Sequence, residues 1–161
     1  LLEPHSYQKV FKTNILLITM ASINDTAPEK ANSALAGELK KIAEIQAPDW
    51  AKFVKSGNHR MRPPANPDWW HIRAASVLKN IYNHGPVGVS KMRSRYGGRK
   101  NMGRKPHKFT KASGNVLRKI SQQLEKAGLV KQSQSLHKGR IISPKGQSLL
   151  DKTAVQLKGV K

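Results

Sequence analysis

Between Lys91 and Lys111 the chain carries nine lysines and arginines and not one acidic residue. Lys91, Arg93, Arg95, Arg99, Lys100, Arg104, Lys105 and Lys108 are suited to one kind of chemistry: holding an anion through charge and N–H donors. Arginine's planar fork offers two parallel hydrogen bonds to phosphate oxygens. Gly97, Gly98 and Gly103 punctuate the run, and a backbone without Cβ lets phosphates come close. A basic run is either a solvated tail or a phosphate-binding segment. Lying between two helical patterns, this one reads as the second.

Other chemistries lack their parts. Gly98 and Gly103 have the spacing of a phosphate-binding loop, but Arg104-Lys105 replaces the Lys-Ser/Thr pair and no strand precedes it. His5, His59, His71, His84, His107 and His137 are scattered, with no ligand spacing on one helix. His107 can stack on a base or touch phosphate, or simply sit at the surface. The absence of cysteine excludes disulfides, thiolate zinc sites and thiol nucleophiles. Beyond Trp69 the carboxylates are Glu125 and Asp151 alone, too few for an acid/base pair or a magnesium site. The reading is a non-enzymatic chain with no cofactor, no metal and no small-molecule substrate.

The whole chain has 161 residues and a formal charge of +21, with a pI near 10.7. That much self-repulsion destabilises a compact domain unless an anionic partner screens it, and nucleic acid is the commonest such partner. The charge is unevenly placed. Residues 1–68 hold nine basic and seven acidic groups, whereas residues 69–161 hold twenty-one basic groups against two acidic ones. The longest strongly apolar run, Ile15 to Met20, is far too short to span a bilayer, so no membrane partner is expected. Met20-Ala21-Ser22 reads like an initiator context. Residues 1–19 are therefore treated as an extension, and 20–161 as a single domain with a fold core of about 31–157.

The elements that must position these cations follow from periodicity. Asn32 to Ile45 puts Leu35, Leu39 and Ile42 on one face at helical spacing, with Ala36 and Ala43 beside them. A short helix can begin at Pro48, with Trp50, Phe53 and Val54 as its apolar side and Gly57 as its stop. Residues 57–67 contain three prolines and no periodicity, which predicts a loop. Asn66-Pro67-Asp68 predicts the start of a central helix running to about Asn83. Trp70, Ala74, Val77, Leu78 and Ile81 line one side of it, widened by Trp69, Ile72 and Tyr82. The tryptophans sit at the buried period and are read as core rather than as base-stacking platforms. Gly88 to Tyr96 predicts a second helix, and Arg99 to Lys108 a Gly-rich basic loop. A third helix, capped by Ser113 or Thr110, turns Leu117, Ile120, Leu124 and Ala127 inward and stops at Gly128. Leu129 to Lys131 and Arg140 to Ile142 predict a short β-hairpin around a polar tip. Ser143-Pro144 then opens a last helix with Leu149, Leu150, Thr153, Ala154 and Leu157 on one side.

The predicted fold class is mostly α: a helical bundle around a central helix, winged-helix-like, with one short β-hairpin. In a winged helix-turn-helix the third helix lies against nucleic acid and the hairpin touches the backbone beside it. The basic loop, the third helix (Arg118, Lys119) and the wing (Lys138, Arg140) all carry cations, as that arrangement requires.

An ordered set of motifs adds to this reading: Trp69-Trp70, Arg73-Ala74-Ala75-Ser76, Tyr96-Gly97-Gly98-Arg99, Gly128-Leu129-Val130, Gly139-Arg140 and Pro144-Lys145-Gly146, preceded by Pro48-Asp49-Trp50-Ala51 and Phe53-Val54-Lys55. In this order they resemble the e-type ribosomal protein nineteen family of the eukaryotic and archaeal small subunit, over about residues 31–154. The resemblance implies a structural constituent of the small ribosomal subunit, bound to rRNA of the head (the 3′ domain) and needed for subunit maturation and translation. It implies small-subunit rRNA and neighbouring ribosomal proteins as partners. The implied location is cytoplasmic on the ribosome, and nucleolar during assembly in a eukaryote. By motif position Arg73, Lys79, Arg99 and Arg118 match basic sites of the family. Lys108 departs from it, standing where the family usually shows histidine before Phe109, and residues 1–19 match nothing.

A rival reading is a winged-helix DNA-binding transcriptional regulator, which the segment from Leu124 to Leu150 also resembles. Such regulators commonly need a dimerisation helix pair and acidic balance elsewhere; neither is evident here.

Overall fold

The computed structural model of the chain describes residues 22–134 and 138–159. The proposed extension 1–19 and part of the wing tip, with His5 and His137, lie outside the described residues.

Helix α2 (Trp69–His84) is the axis of the fold because its apolar arc is wide enough to be covered from several sides. Trp70, Ala74, Ala75, Val77, Leu78 and Ile81 are all buried. Helix α1 (Pro28–Lys40) packs along it through Ala31, Leu35, Ala36 and Leu39. Helix α4 (Gly114–Lys126) covers another side with Val116, Leu117, Ile120 and Leu124, and meets the short α3 (Val89–Arg95) through Met92. Helix α5 (Pro144–Gly159) closes the bundle against α1 with Leu150, Thr153 and Ala154. Trp70 is core, as its spacing predicts, whereas Trp69 packs against the core only half-buried, because it lies at the edge of the apolar arc. The Trp70 indole N–H donates to Gln123 Oε1 at 2.9 Å, and Gln123 in turn donates to the Gln46 carbonyl at 2.6 Å. One polar side chain of α4 thereby ties α2 to the segment after α1, and the buried N–H keeps a partner.

The wing is present. Strands β3 (Val130–Gln132) and β4 (Arg140–Ile142) pair antiparallel with Val130 opposite Ile142 and Gln132 opposite Arg140. Val87 and Arg140 exchange both backbone hydrogen bonds at 3.1 Å, which adds a third rung from the link between α2 and α3. Gly128, at φ 72°, ends α4 in the left-handed conformation, and the Leu129 N–H returns to the Leu124 carbonyl at 3.0 Å. A glycine there carries no Cβ penalty. Ser143 then starts α5: its Oγ accepts from the Gly146 N–H at 3.2 Å and donates to the Gly128 carbonyl at 2.6 Å.

The fold differs locally from the sequence expectations in four places. The basic stretch expected as a loop is a second hairpin, β1 (Gly98–Met102) and β2 (Lys105–Thr110), with Gly98 opposite Thr110 and Lys100 opposite Lys108. Its turn is made by Asn101 Oδ1, which accepts from the Gly103 N–H at 2.8 Å, and by Gly103 at φ 74°. Asparagine and glycine are the residues such turns favour. With nearly every side chain in solvent, no apolar alternation announces the hairpin. Helix α1 begins earlier than expected, on Pro28, and stops at Lys40; Ile42 and Ile45 reach the core from successive turns instead. The short helix is a single 3-10 turn, Asp49–Lys52, after which the chain turns away and leaves Phe53 84% exposed. Helix α2 starts at Trp69, because Asn66 Oδ1 caps a local turn by accepting from the Asp68 N–H at 2.8 Å.

Candidate nucleic-acid interface

Where the acids lie decides where cations remain free. Asp25 pairs with Lys158 at 2.9 Å, Glu38 with Lys41 at 2.7 Å, Asp68 with Lys40 at 2.7 Å, and Glu125 with Arg140 at 3.0 Å. The hydrogen bond from Lys158 holds the Asp25 carboxyl below its usual range, and that from Lys40 does the same for Asp68. Three of these pairs involve α1, α5 or the segments ahead of α1 and α2. None reaches the β1–β2 hairpin or the loop before Pro63.

Around that hairpin the chain brings together side chains far apart in sequence. Lys100 Nζ donates to Asn58 Oδ1 at 3.1 Å, and the His59 ring packs against Gly98. Gly57 and Ala112 form a β-bridge, and the Ser113 N–H donates to the Ser56 carbonyl at 3.2 Å. The start of the loop 56–62 is thus fastened to the base of the hairpin and, through Asn58, to Lys100 in β1. The glycines at the hairpin base admit close neighbours: a Cβ on Gly97 would meet the Thr110 carbonyl oxygen across the hairpin at 2.6 Å, and one on Gly98 would push on the His59 ring of the loop at 2.8 Å.

Arg73 lies under this loop. Its guanidinium sits over the Tyr96 ring, 4.6 Å from the centroid, and the Tyr96 hydroxyl shares a 2.9 Å hydrogen bond with Ser76 Oγ. A cation over an aromatic face is attracted by the ring quadrupole. Burial, opposed by Tyr96 and reinforced by Arg60, holds the Arg73 pKa below the ordinary guanidinium range. Burial likewise raises that of the Tyr96 phenol, against the Ser76 hydrogen bond and the charges of Arg73 and Arg95. His59 is pushed down, first by burial and then by Arg60 and Arg73. Burial is the leading cause of all three shifts, and the arginines act in the same direction as burial on His59 and against it on Tyr96.

The sequence-predicted cations divide by place. Arg99, Arg104, Lys105 and Lys108 stand exposed on the hairpin beside Lys100, and Arg73 lies at its foot. Arg93 Nε donates to the Ala112 carbonyl at 3.1 Å, bracing the hairpin base; Arg95 donates to Asn80 Oδ1 at 2.6 Å on α2. Lys79, six residues past Arg73, lies roughly 120° round the helix axis from it. Lys91 is exposed on α3, and Lys138 is exposed next to the wing tip. Arg118 and Lys119 are exposed on α4, Lys119 in a groove shared with Glu44, Trp50 and Glu125, away from the hairpin. Arg140 is the one predicted cation with a carboxylate partner among the described residues: its Nε and Nη2 both reach Glu125 Oε2, at 3.1 and 3.0 Å.

Sequence reasoning passed over Lys55, His59, Arg60 and Arg62. Averaged over residues 1–68 their charge vanishes into a near-neutral balance, because the acids of that half lie on other elements. The signal was the acid-free segment from Lys52 to Pro67, with a cation on each side of Met61.

Among the described residues no group of histidines and carboxylates is placed to hold a metal ion, and no helix is long and apolar enough to cross a membrane. Between α3 and α4, where a helix-turn-helix has a turn of about 3–4 residues, stands the whole β1–β2 hairpin.

The model of the family "Ribosomal protein S19e" matches residues 22–159. The chain is 49% identical over 125 residues to small ribosomal subunit protein eS19 of Aeropyrum pernix, covering 76% of this chain and 80% of that one. It is 44% identical over 142 residues to the protein of the same name from Haloarcula marismortui, covering 86% and 92%. To small ribosomal subunit protein eS19A of Schizosaccharomyces pombe it is 38% identical over 136 residues, covering 84% and 93%.

Proposed function

Since the chain belongs to the ribosomal protein S19e family, we propose that it is a structural constituent of the small ribosomal subunit. In this reading it binds rRNA of the head, the 3′ domain, packs beside neighbouring ribosomal proteins, and supports subunit maturation. The observation that carries the rRNA contact is the acid-free surface formed by the loop 55–62, Arg73 and the β1–β2 hairpin. Phosphate neutralisation positions the domain there, and the shape of the folded RNA selects the site. Lys91, Arg95, Arg99, Lys100, Arg104, Lys105 and Lys108 contribute charge at the hairpin and its base, with Lys79, Arg118, Lys119 and Lys138 as outlying contacts. Arg93 braces the hairpin base through the Ala112 carbonyl, and Arg140 is paired with Glu125. The chain works in the cytoplasm on the ribosome, and in a eukaryote it joins the assembling subunit in the nucleolus.

The test is sedimentation. The full chain should travel with small subunits in cell extract at moderate salt and bind fragments of the 3′ domain. A stable dimer that selects duplex DNA sequences would instead establish the transcriptional regulator.

A further inference from the structure

Beside the hairpin, between α2 and the loop 56–66, opens a cleft of about 480 Å³. That is within the roughly 300–1,000 Å³ of ordinary small-ligand sites. Arg60, Arg62 and Arg73 line it together, and no carboxylate does. Neither Arg60 nor Arg62 has an ion pair among the described residues. The Arg73 guanidinium sits over the Tyr96 ring, 4.6 Å from its centroid, which restrains the fork before any ligand arrives. Trp69, Ile72 and Pro64 give the same cleft an apolar, partly planar wall. Asn32 also lines the cleft, and its side-chain oxygen is buried without a partner.

We propose that this cleft is a single-nucleotide subsite, taking one unstacked nucleotide of RNA with its phosphate among the three guanidiniums and its base against the apolar wall. The inference rests on the rRNA-binding reading and adds the state of the RNA that the chain selects. Three guanidiniums without a carboxylate call for an anion carrying several acceptor oxygens. A recessed pocket with a flat apolar side suits a base freed from its stack, since single-stranded sites combine cationic grooves with such faces. A duplex keeps its bases inside and can offer only its phosphate ridge. An acidic peptide would also satisfy the arginines. RNA is favoured because the loop that carries Arg60 and Arg62 is joined to the cationic hairpin by the hydrogen bond from Lys100 to Asn58, so the cleft's cations adjoin a longer positive surface of the kind that tracks a nucleic-acid backbone.

The experiment uses the full chain and two RNA probes, pentauridylate and a blunt RNA duplex, with pentaglutamate as competitor. Arg60→Gln with Arg62→Gln removes two exposed loop cations; Lys152→Gln, exposed on α5, is the charge control. The loop variant should bind pentauridylate about tenfold or more weakly while its duplex affinity changes by less than about threefold. Lys152→Gln should move neither. Ultraviolet crosslinking of pentauridylate to the native chain should label the peptide containing Trp69. Equal weakening for both RNAs, unchanged pentauridylate binding, crosslinks elsewhere, or displacement by equimolar pentaglutamate overturns the subsite. Native chain that binds the duplex but not pentauridylate overturns the subsite alone; native chain that binds neither these probes nor 3′-domain fragments overturns the rRNA reading too.

Discussion

The Arg73 guanidinium lies over the ring of Tyr96, 4.6 Å from its centroid, so a cation of the central helix is aimed by an aromatic residue at the end of α3. Tyr96 is anchored in turn by its hydrogen bond to Ser76, one turn along from Arg73. The relationship ties the core helix to the base of the basic hairpin, so folding itself fixes where this charge lies.

Neutralising Arg73 and Lys79 together to glutamine should weaken binding to 3′-domain rRNA and flatten its salt dependence. Each phosphate that the variant no longer neutralises makes the log–log slope shallower by roughly 0.7–0.9. Circular dichroism on the same samples separates this from unfolding. A slope equal to that of the native chain would assign both residues to packing.

Arg140→Gln should behave in the opposite way. Its guanidinium meets Glu125, both side chains being less than a third exposed, so its removal should cost about 1–2 kcal/mol of stability. The salt slope for RNA binding should stay at the native value. Denaturant unfolding beside the salt series checks both halves, and a reduced slope would count Arg140 among the phosphate contacts.

His59 gives the pH dependence. Its folded pKa is depressed by burial and by Arg60 and Arg73, so between that value and the unfolded pKa of roughly 6.5 the unfolded chain binds more protons. The stability contributed by the neutral ring is complete above that unfolded value and is lost as pH falls below it towards the folded pKa. Urea midpoints taken at pH 7.5 and 5.5 should therefore fall less for His59→Gln than for the native chain. A bound phosphate close by should move the His59 titration upward, which histidine NMR would read directly.

Gly97→Ala should destabilise the hairpin base by about 1–3 kcal/mol, because the added methyl meets the Thr110 carbonyl oxygen and the Phe109 ring. Thermal unfolding measures it. An unchanged melting temperature would mean that β1 and β2 give way easily at this point.

The composition, the spacing and the ordered motifs were enough for the fold class, the central helix, the wing and the family. Those features are written in local periodicity: Trp70, Ala74, Val77 and Leu78 recur at the period of a helix, and Gly128 stops α4 wherever α4 packs. The second hairpin was not legible, since strands exposed on both faces bury nothing and carry no alternating pattern. The composition of the cationic surface was not legible either. Counting charge along the chain gave Lys91 to Lys111, but only tertiary packing could bring Arg60 and Arg62 to Arg73, or remove Arg140 from the free cations by setting Glu125 against it. The physical reason is range: helix and turn preferences act over a few residues, whereas which charges share one surface depends on contacts between segments distant in the chain.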